Sequence, residues 1–178
     1  MKMDELLEYF ISEPERELHV RELAKLAKKS PTTVSKRLSK LEKDGLLQSR
    51  SKLNHLLFKA NSDSLNFKDV KICYNIKKLR HSGLIEFLVQ EFNHPEAIVL
   101  FGSFGKGENT LKSDIDLLII TSSKQEINLA KFEKIVGYKI QLFVYSTVEM
   151  EKMKIKNKEL LNNLINGIKL HGFWELFK

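Results

Sequence analysis

The sequence predicts an α+β chain: a basic helical domain closed by a small hairpin, a helical connector, and a domain built on a mixed sheet. Three observations carry this expectation. The first sixty residues repeat apolar side chains at helical spacing and end in two short runs around a polar turn. Two short apolar runs rich in β-branched residues, Ala97 to Phe101 and Ile115 to Thr121, bracket a glycine-containing loop and read as buried strands. A third such run, Tyr138 to Tyr145, follows a helical stretch. With 178 residues, 42% hydrophobic and 30% charged, the chain is globular and long enough for one medium core or two small ones. The expected domain boundaries are 1–60, 61–95 and 96–178.

In the first domain, Leu6, Leu7, Phe10 and Ile11 share one helical face over Met3 to Ile11, and Ser12-Glu13-Pro14 ends that helix. A second helix is expected from Val20 to Lys29, with Val20, Leu23, Ala24 and Ala27 on one side and His19 as a boundary residue. Ser30-Pro31 starts a third, the serine as N-cap and the proline at the first helical position, where its missing N–H costs nothing. Gly45 stops it. Val34, Leu38 and Leu41 anchor this helix at i, i+4 and i+7, while Thr32, Lys36, Ser39 and Lys43, with Lys40 beside them, make the opposite face basic and hydroxylated.

Leu46 to Lys59 then reads as two short strands around a polar turn. Helix, short turn, polar-faced helix and hairpin together resemble a winged helix-turn-helix. The resemblance implies duplex DNA as partner, read by Thr32, Lys36, Ser39, Lys40 and Lys43, with Arg50 and Lys52 of the wing, and His55 beside them, near phosphates. Charge agrees with it. Between Lys25 and Lys59 ten basic residues face Glu42 and Asp44 alone, a local +8 in a chain of net charge +7, and a concentrated basic patch suits a polyanion.

Ala60 to Leu65 is a polar linker. From Phe67 to Phe92 the pattern is helical, with Val70, Cys73, Ile76 and Leu79 on one stripe and Gly83 as an interruption, so two helices or one kinked helix should pack on the sheet that follows. Cys73, the only cysteine, excludes an internal disulfide and is expected as a small buried hydrophobe.

The stretch between the first two strands carries the chemistry. Gly102-Ser103 lies at a strand end, and ten residues later come Asp114-Ile115-Asp116 at the start of the next strand. Side chains alternate along a strand, so both aspartates point one way and Ile115 the other. Two carboxylates about 4 Å apart repel by about 1 kcal/mol in water and about 4 kcal/mol at an effective dielectric of 20. A divalent cation between them removes that penalty, and Mg²⁺ is commonly held by one or two carboxylates together with substrate phosphates. Glycine at the strand end lets backbone N–H groups and the serine hydroxyl approach a phosphate.

The run from Phe101-Gly102-Ser103-Phe104-Gly105-Lys106-Gly107 to Ser113-Asp114-Ile115-Asp116-Leu117 resembles the nucleotidyltransferase superfamily that includes DNA polymerase beta, and within it the minimal nucleotidyltransferases of prokaryotes. The resemblance implies a nucleoside triphosphate gripped by Gly102 and Ser103, with Lys106 neutralising charge, and Asp114 and Asp116 as catalytic residues holding Mg²⁺. It also implies transfer of a nucleoside monophosphate to a protein or another acceptor. The superfamily usually draws a third carboxylate from the following strand. Here that position is Gln141, which brings no charge. An alternative therefore stands beside the enzyme: a DNA-binding regulator or antitoxin whose transferase-like domain binds nucleotide or a toxin partner without turnover.

After the third strand, Met150, Met153, Leu160, Leu161, Leu164 and Ile165 describe a core-facing helix, and Ile168 to Trp174 an edge strand. No apolar run approaches the roughly 20 residues that a membrane crossing needs. The acidic start, Met1-Lys2-Met3-Asp4-Glu5, does not read as a signal peptide. A cytoplasmic location is expected, and a homodimer on DNA is compatible with the first domain, although no heptad pattern specifies one.

Overall fold

A computed structural model describes residues 4–52 and 55–175. The chain divides into two compact units, Met1–Lys71 and Ile72–Lys178, with the division inside a helix of the stretch expected as the connector.

In the first unit, helix α1 (Glu5–Ser12) is capped by Asp4, whose carboxylate accepts from the Leu6 N–H. It buries Leu6, Leu7, Phe10 and Ile11. Strand β1 (Leu18–His19) and helices α2 (Val20–Leu26) and α3 (Pro31–Lys43) follow, then strands β2 (Leu47–Lys52) and β3 (His55–Ala60). The three strands form an antiparallel sheet in the order β1-β3-β2. The wing turn at 53–54 lies outside the described residues. His19 is more than a boundary: it pairs with Leu57 of β3, and its Nδ1 accepts from the Glu22 N–H to cap α2. Helix α2 stops at Leu26, short of the expected Lys29, because Lys28 turns into the left-handed region at φ 51°.

Helix α3 follows its sequence signals closely. The Ser30 hydroxyl accepts from the Thr33 N–H, Val34, Leu38 and Leu41 are buried, and Gly45 turns the chain at φ 73°.

Helix α4 (Leu65–His81) crosses the division and is followed by α5 (Leu84–Glu91), the two separated at Gly83 with φ 75°. The expected stripe on α4 holds only in part. Leu79 is buried and Ile76 packs against the core, but Cys73 is exposed, and the buried positions Phe67, Lys71, Asn75 and Leu79 fall four residues apart. Hydrophobicity alone could not show this row, because two of its four buried side chains are polar.

The second unit is a four-stranded sheet in the order β6-β5-β4-β7. Strand β4 (Ala97–Phe101) leads into a single-turn helix α6 (Gly102–Lys106), where a loop was expected. Strand β5 (Ile115–Ile120) runs antiparallel to β4, and β6 (Ile140–Tyr145) runs parallel to β5 after helix α7 (Ala130–Val136). That helix starts later than the expected Ser122-Ser123 boundary. The tail helix is two helices, α8 (Thr147–Lys156) and α9 (Lys158–Ile165), broken at Asn157. The edge strand β7 (Ile168–Gly172) pairs antiparallel with β4.

Both faces of this sheet are covered. Ile98, Leu100, Ile115, Leu117 and Ile119 pack with Leu79 of α4, α5 and α7. Ala97, Val99, Phe101, Leu118 and Ile120 pack with Met150 of α8 and with Leu161 and Leu164 of α9. Among the described residues no helix is long and apolar enough to cross a membrane.

Candidate nucleotide and metal site

The register of the central strands assembles the site. Phe101, the last residue of β4, is opposite Asp116 on β5, and Asp116 is beside Gln141 on β6. Asp116 shares the parity of Leu118 and Ile120, so it belongs to the sheet face that carries Val99 and Phe101. The Ile115 N–H donates to the Lys139 carbonyl at 2.8 Å, which ties the start of β5 to the approach of β6. Asp114 stands exposed just before β5, whereas Asp116 is half-buried.

Any residue other than glycine would be strained at position 102. The φ of Gly102 is +64°, and a Cβ there would fall 2.2 Å from Asp116 Oδ2. The backbone of Gly102-Ser103 therefore lies directly against the Asp116 carboxylate. Ser103 is half-buried in the opening turn of α6, and Lys106 is exposed at its end. Gly107 closes the helix at φ 68°, donating its N–H to the Ser103 carbonyl.

Burial, and behind it the charge of Asp114, raise the Asp116 carboxyl above the ordinary aspartate value. A half-buried carboxylate whose ionised form is disfavoured in this way suits a cation. Among the described residues no three or more His, Cys, Asp or Glu side chains group as metal ligands. Asp114 and Asp116 are the two carboxylates at the start of β5, and the uncharged, exposed Gln141 is paired with Asp116.

A model of the nucleotidyltransferase domain matches residues 81–171, just over half of the chain. The chain belongs to the nucleotidyltransferase domain family. Residues 7–49 match a second model, described as a bacterial regulatory protein of the arsR family, so this nucleotidyltransferase domain is fused to a helix-turn-helix DNA-binding domain. A search of curated proteins finds no match. Nucleotidyltransferase domains generally use divalent metal ions, and the paired carboxylates against a glycine turn fit such an ion.

In the helix-turn-helix unit, Thr32, Lys36, Ser39, Lys40 and Lys43 are all exposed on α3, and Lys52 is exposed at the end of β2. Arg50 is engaged: its Nε lies 2.6 Å from Glu17 Oε1, and an Nη donates to Glu17 Oε2 at 2.7 Å. A phosphate would have to compete with that carboxylate. Lys29, Arg37 and Lys59 are likewise paired, with Glu5, Asp4 and Glu15. The acidic residues ahead of α2 thus offset much of the local charge counted along the sequence. The lysines of α3 are outside these pairs.

Sequence reasoning missed Asn75, Asn109 and Tyr138. A buried polar residue within an apolar pattern is the available signal, and Asn75 four residues after Lys71 carried it.

Proposed function

We propose that the chain transfers a nucleoside monophosphate from a nucleoside triphosphate to an acceptor, with Mg²⁺ held by Asp114 and Asp116 and the triphosphate gripped at Gly102, Ser103 and Lys106. The observation that carries this reading is the close approach of Gly102 to the Asp116 carboxylate, which sets the glycine turn against a candidate metal ligand. Mg²⁺, when bound there, supplies charge neutralisation for the triphosphate and orients it. The acceptor's nucleophilic atom forms a bond to the α-phosphorus and gives up its proton to solvent, the bond to the bridging oxygen breaks, and pyrophosphate leaves with that electron pair. Ser103 and the amides around it orient the phosphates, and Lys106 balances charge on the leaving group.

The test is incubation of the full chain with Mg²⁺ and each labelled triphosphate in a cell lysate, followed by separation of macromolecules. Label on a protein or nucleic acid in a Mg²⁺-dependent manner supports transfer. No label, with nucleotide binding intact, supports the second reading, a regulator that binds nucleotide or a toxin partner without turnover. Gln141 is the observation that favours the latter, because it stands beside Asp116 where a third charge is usual. A carboxylate about 4 Å from a divalent ion contributes roughly 8 kcal/mol gross at an effective dielectric of 20, before desolvation. Gln141→Asp is therefore expected to tighten Mg²⁺ binding and raise any transfer rate. Because the new carboxylate adjoins Asp116, the melting temperature without metal should fall modestly and be restored by Mg²⁺, and calorimetry with a thermal melt checks both.

The N-terminal domain, in this proposal, binds duplex DNA in the cytoplasm through Thr32, Lys36, Ser39, Lys40 and Lys43 with the wing residues Arg50 and Lys52. Replacing Lys36 and Lys40 with alanine should weaken binding and reduce the log–log salt slope by about 0.9 for each phosphate left unneutralised. A titration over several salt concentrations measures it, and an unchanged slope rules out these lysines as phosphate ligands. Homodimer formation on DNA belongs to the same proposal, and sedimentation in the presence of DNA tests it.

A further inference from the structure

Asn75 and Asn109 are each 2% exposed, and neither belongs to the residues placed above on metal, phosphate or DNA. An amide withdrawn from water requires partners. The Asn75 Nδ2 donates to the Phe104 carbonyl at 3.0 Å and to Asn109 Oδ1 at 2.9 Å. One acceptor lies in α6, one residue after Ser103, and the other lies in the segment that leads to Asp114.

The rest of that segment is closed on itself. The Glu108 N–H donates to the Ser103 carbonyl at 2.9 Å, the Thr110 N–H to Ser113 Oγ at 2.9 Å, and the Ser113 N–H to the Thr110 carbonyl at 3.1 Å. On the far side, Tyr138 bonds Asn109 and stacks edge-on against Phe104, ring centres 4.9 Å apart. A single side chain of α4 therefore joins the two arms of the site at their bases.

We infer that Asn75 is a positioning residue, which sets the separation between the Ser103 arm and the Asp114 arm so that triphosphate and metal occupy one place. It touches neither. The inference rests on the proposed roles of Gly102, Ser103, Asp114 and Asp116. A misplacement of about 1 Å caused from outside a site can cost it about 100-fold.

The experiment compares Asn75→Ala with Leu79→Ala, one turn further along the same helix and buried in the apolar cluster, using the full chain well below both melting transitions. Amide hydrogen exchange and calorimetric binding of Mg²⁺ with each ribonucleoside triphosphate are measured. In Asn75→Ala the Glu108, Thr110 and Ser113 amides are expected to exchange about tenfold faster or more, with Leu117 to Ile119 unchanged. Nucleotide affinity should fall by about tenfold or more. Leu79→Ala, although destabilising, should leave both close to wild type. If Asn75→Ala does not fold, Asn109→Ala reaches the same segment and should give the same pattern. Loop amides at wild-type rates overturn the inference, as do unchanged affinity with faster exchange, or equal weakening by Leu79→Ala. Failure of the wild type to bind any Mg²⁺–triphosphate removes the proposed function instead, and the inference with it.

Discussion

Asp116→Asn is expected to abolish Mg²⁺-dependent nucleotide binding and transfer while making the metal-free protein more stable. The two effects have one origin. Burial and the neighbouring Asp114 hold the Asp116 carboxyl above its ordinary value, so the folded chain keeps this proton to higher pH than the unfolded chain does. Where the folded state binds more protons, stability falls as pH rises. Relative to the asparagine variant, the wild type without metal should therefore lose stability as pH increases from the ordinary aspartate value, about 3.9, through the raised value of Asp116. Asparagine cannot ionise, so the variant should lack that decline. Mg²⁺ should restore stability in the wild type and do nothing in the variant. Loss of binding should reach about 100-fold or more, since even partners one step removed from a metal cost 10- to 100-fold. Melts across this pH range, with and without Mg²⁺, measure the first effect and calorimetry the second. Equal nucleotide affinity in wild type and variant would leave the carboxylate with a structural role only.

Gly102→Ala should be as damaging to the site and, unlike Asp116→Asn, should also destabilise the fold. A methyl group placed 2.2 Å from Asp116 Oδ2 cannot be accommodated unless the carboxylate swings away. The backbone at φ +64° adds roughly 1–2 kcal/mol for any residue with a Cβ. The two contributions separate in a double variant. Gly102→Ala combined with Asp116→Ala removes the steric conflict and retains the backbone term, so it should recover part of the lost melting temperature. Neither variant should bind Mg²⁺–triphosphate. A Gly102→Ala single variant that melts like the wild type and binds nucleotide would mean that this close approach is not needed.

Elements whose cause is local were legible in the sequence. Ser30-Pro31 fixed the start of α3 and Gly45 its end, because capping and left-handed turns depend on a few adjacent residues. The alignment of Asp116 with Gln141 was also legible, since two short apolar strands leave little freedom of register. Features that depend on distant partners were not. Cys73 looked apolar and lies outside, while Asn75 looked polar and lies inside, because its partners Phe104 and Asn109 come from another element. The local charge between Lys25 and Lys59 looked free, yet Asp4, Glu5, Glu15 and Glu17 fold back onto Arg37, Lys29, Lys59 and Arg50. At 102–106 the two glycines argued for a loop, but the buried Phe104 ring and the Gly107 cap hold a helical turn there.

The pairing of β7 with β4 has a consequence for synthesis on the ribosome. The Gly172 Cα sits so close to the backbone of Glu96 that a Cβ would fall 1.9 Å from its carbonyl oxygen, and the Phe173 N–H donates to that same oxygen at 2.8 Å. The flank of β4 that β7 covers stays bare while α6, β5, α7, β6, α8 and α9 are being translated. Pairings this far apart along a chain form late. The helix-turn-helix unit, whose strands and helices are close in sequence, can be complete by then. A nascent chain would therefore be competent to dock on DNA before its nucleotide site has a finished sheet beneath it.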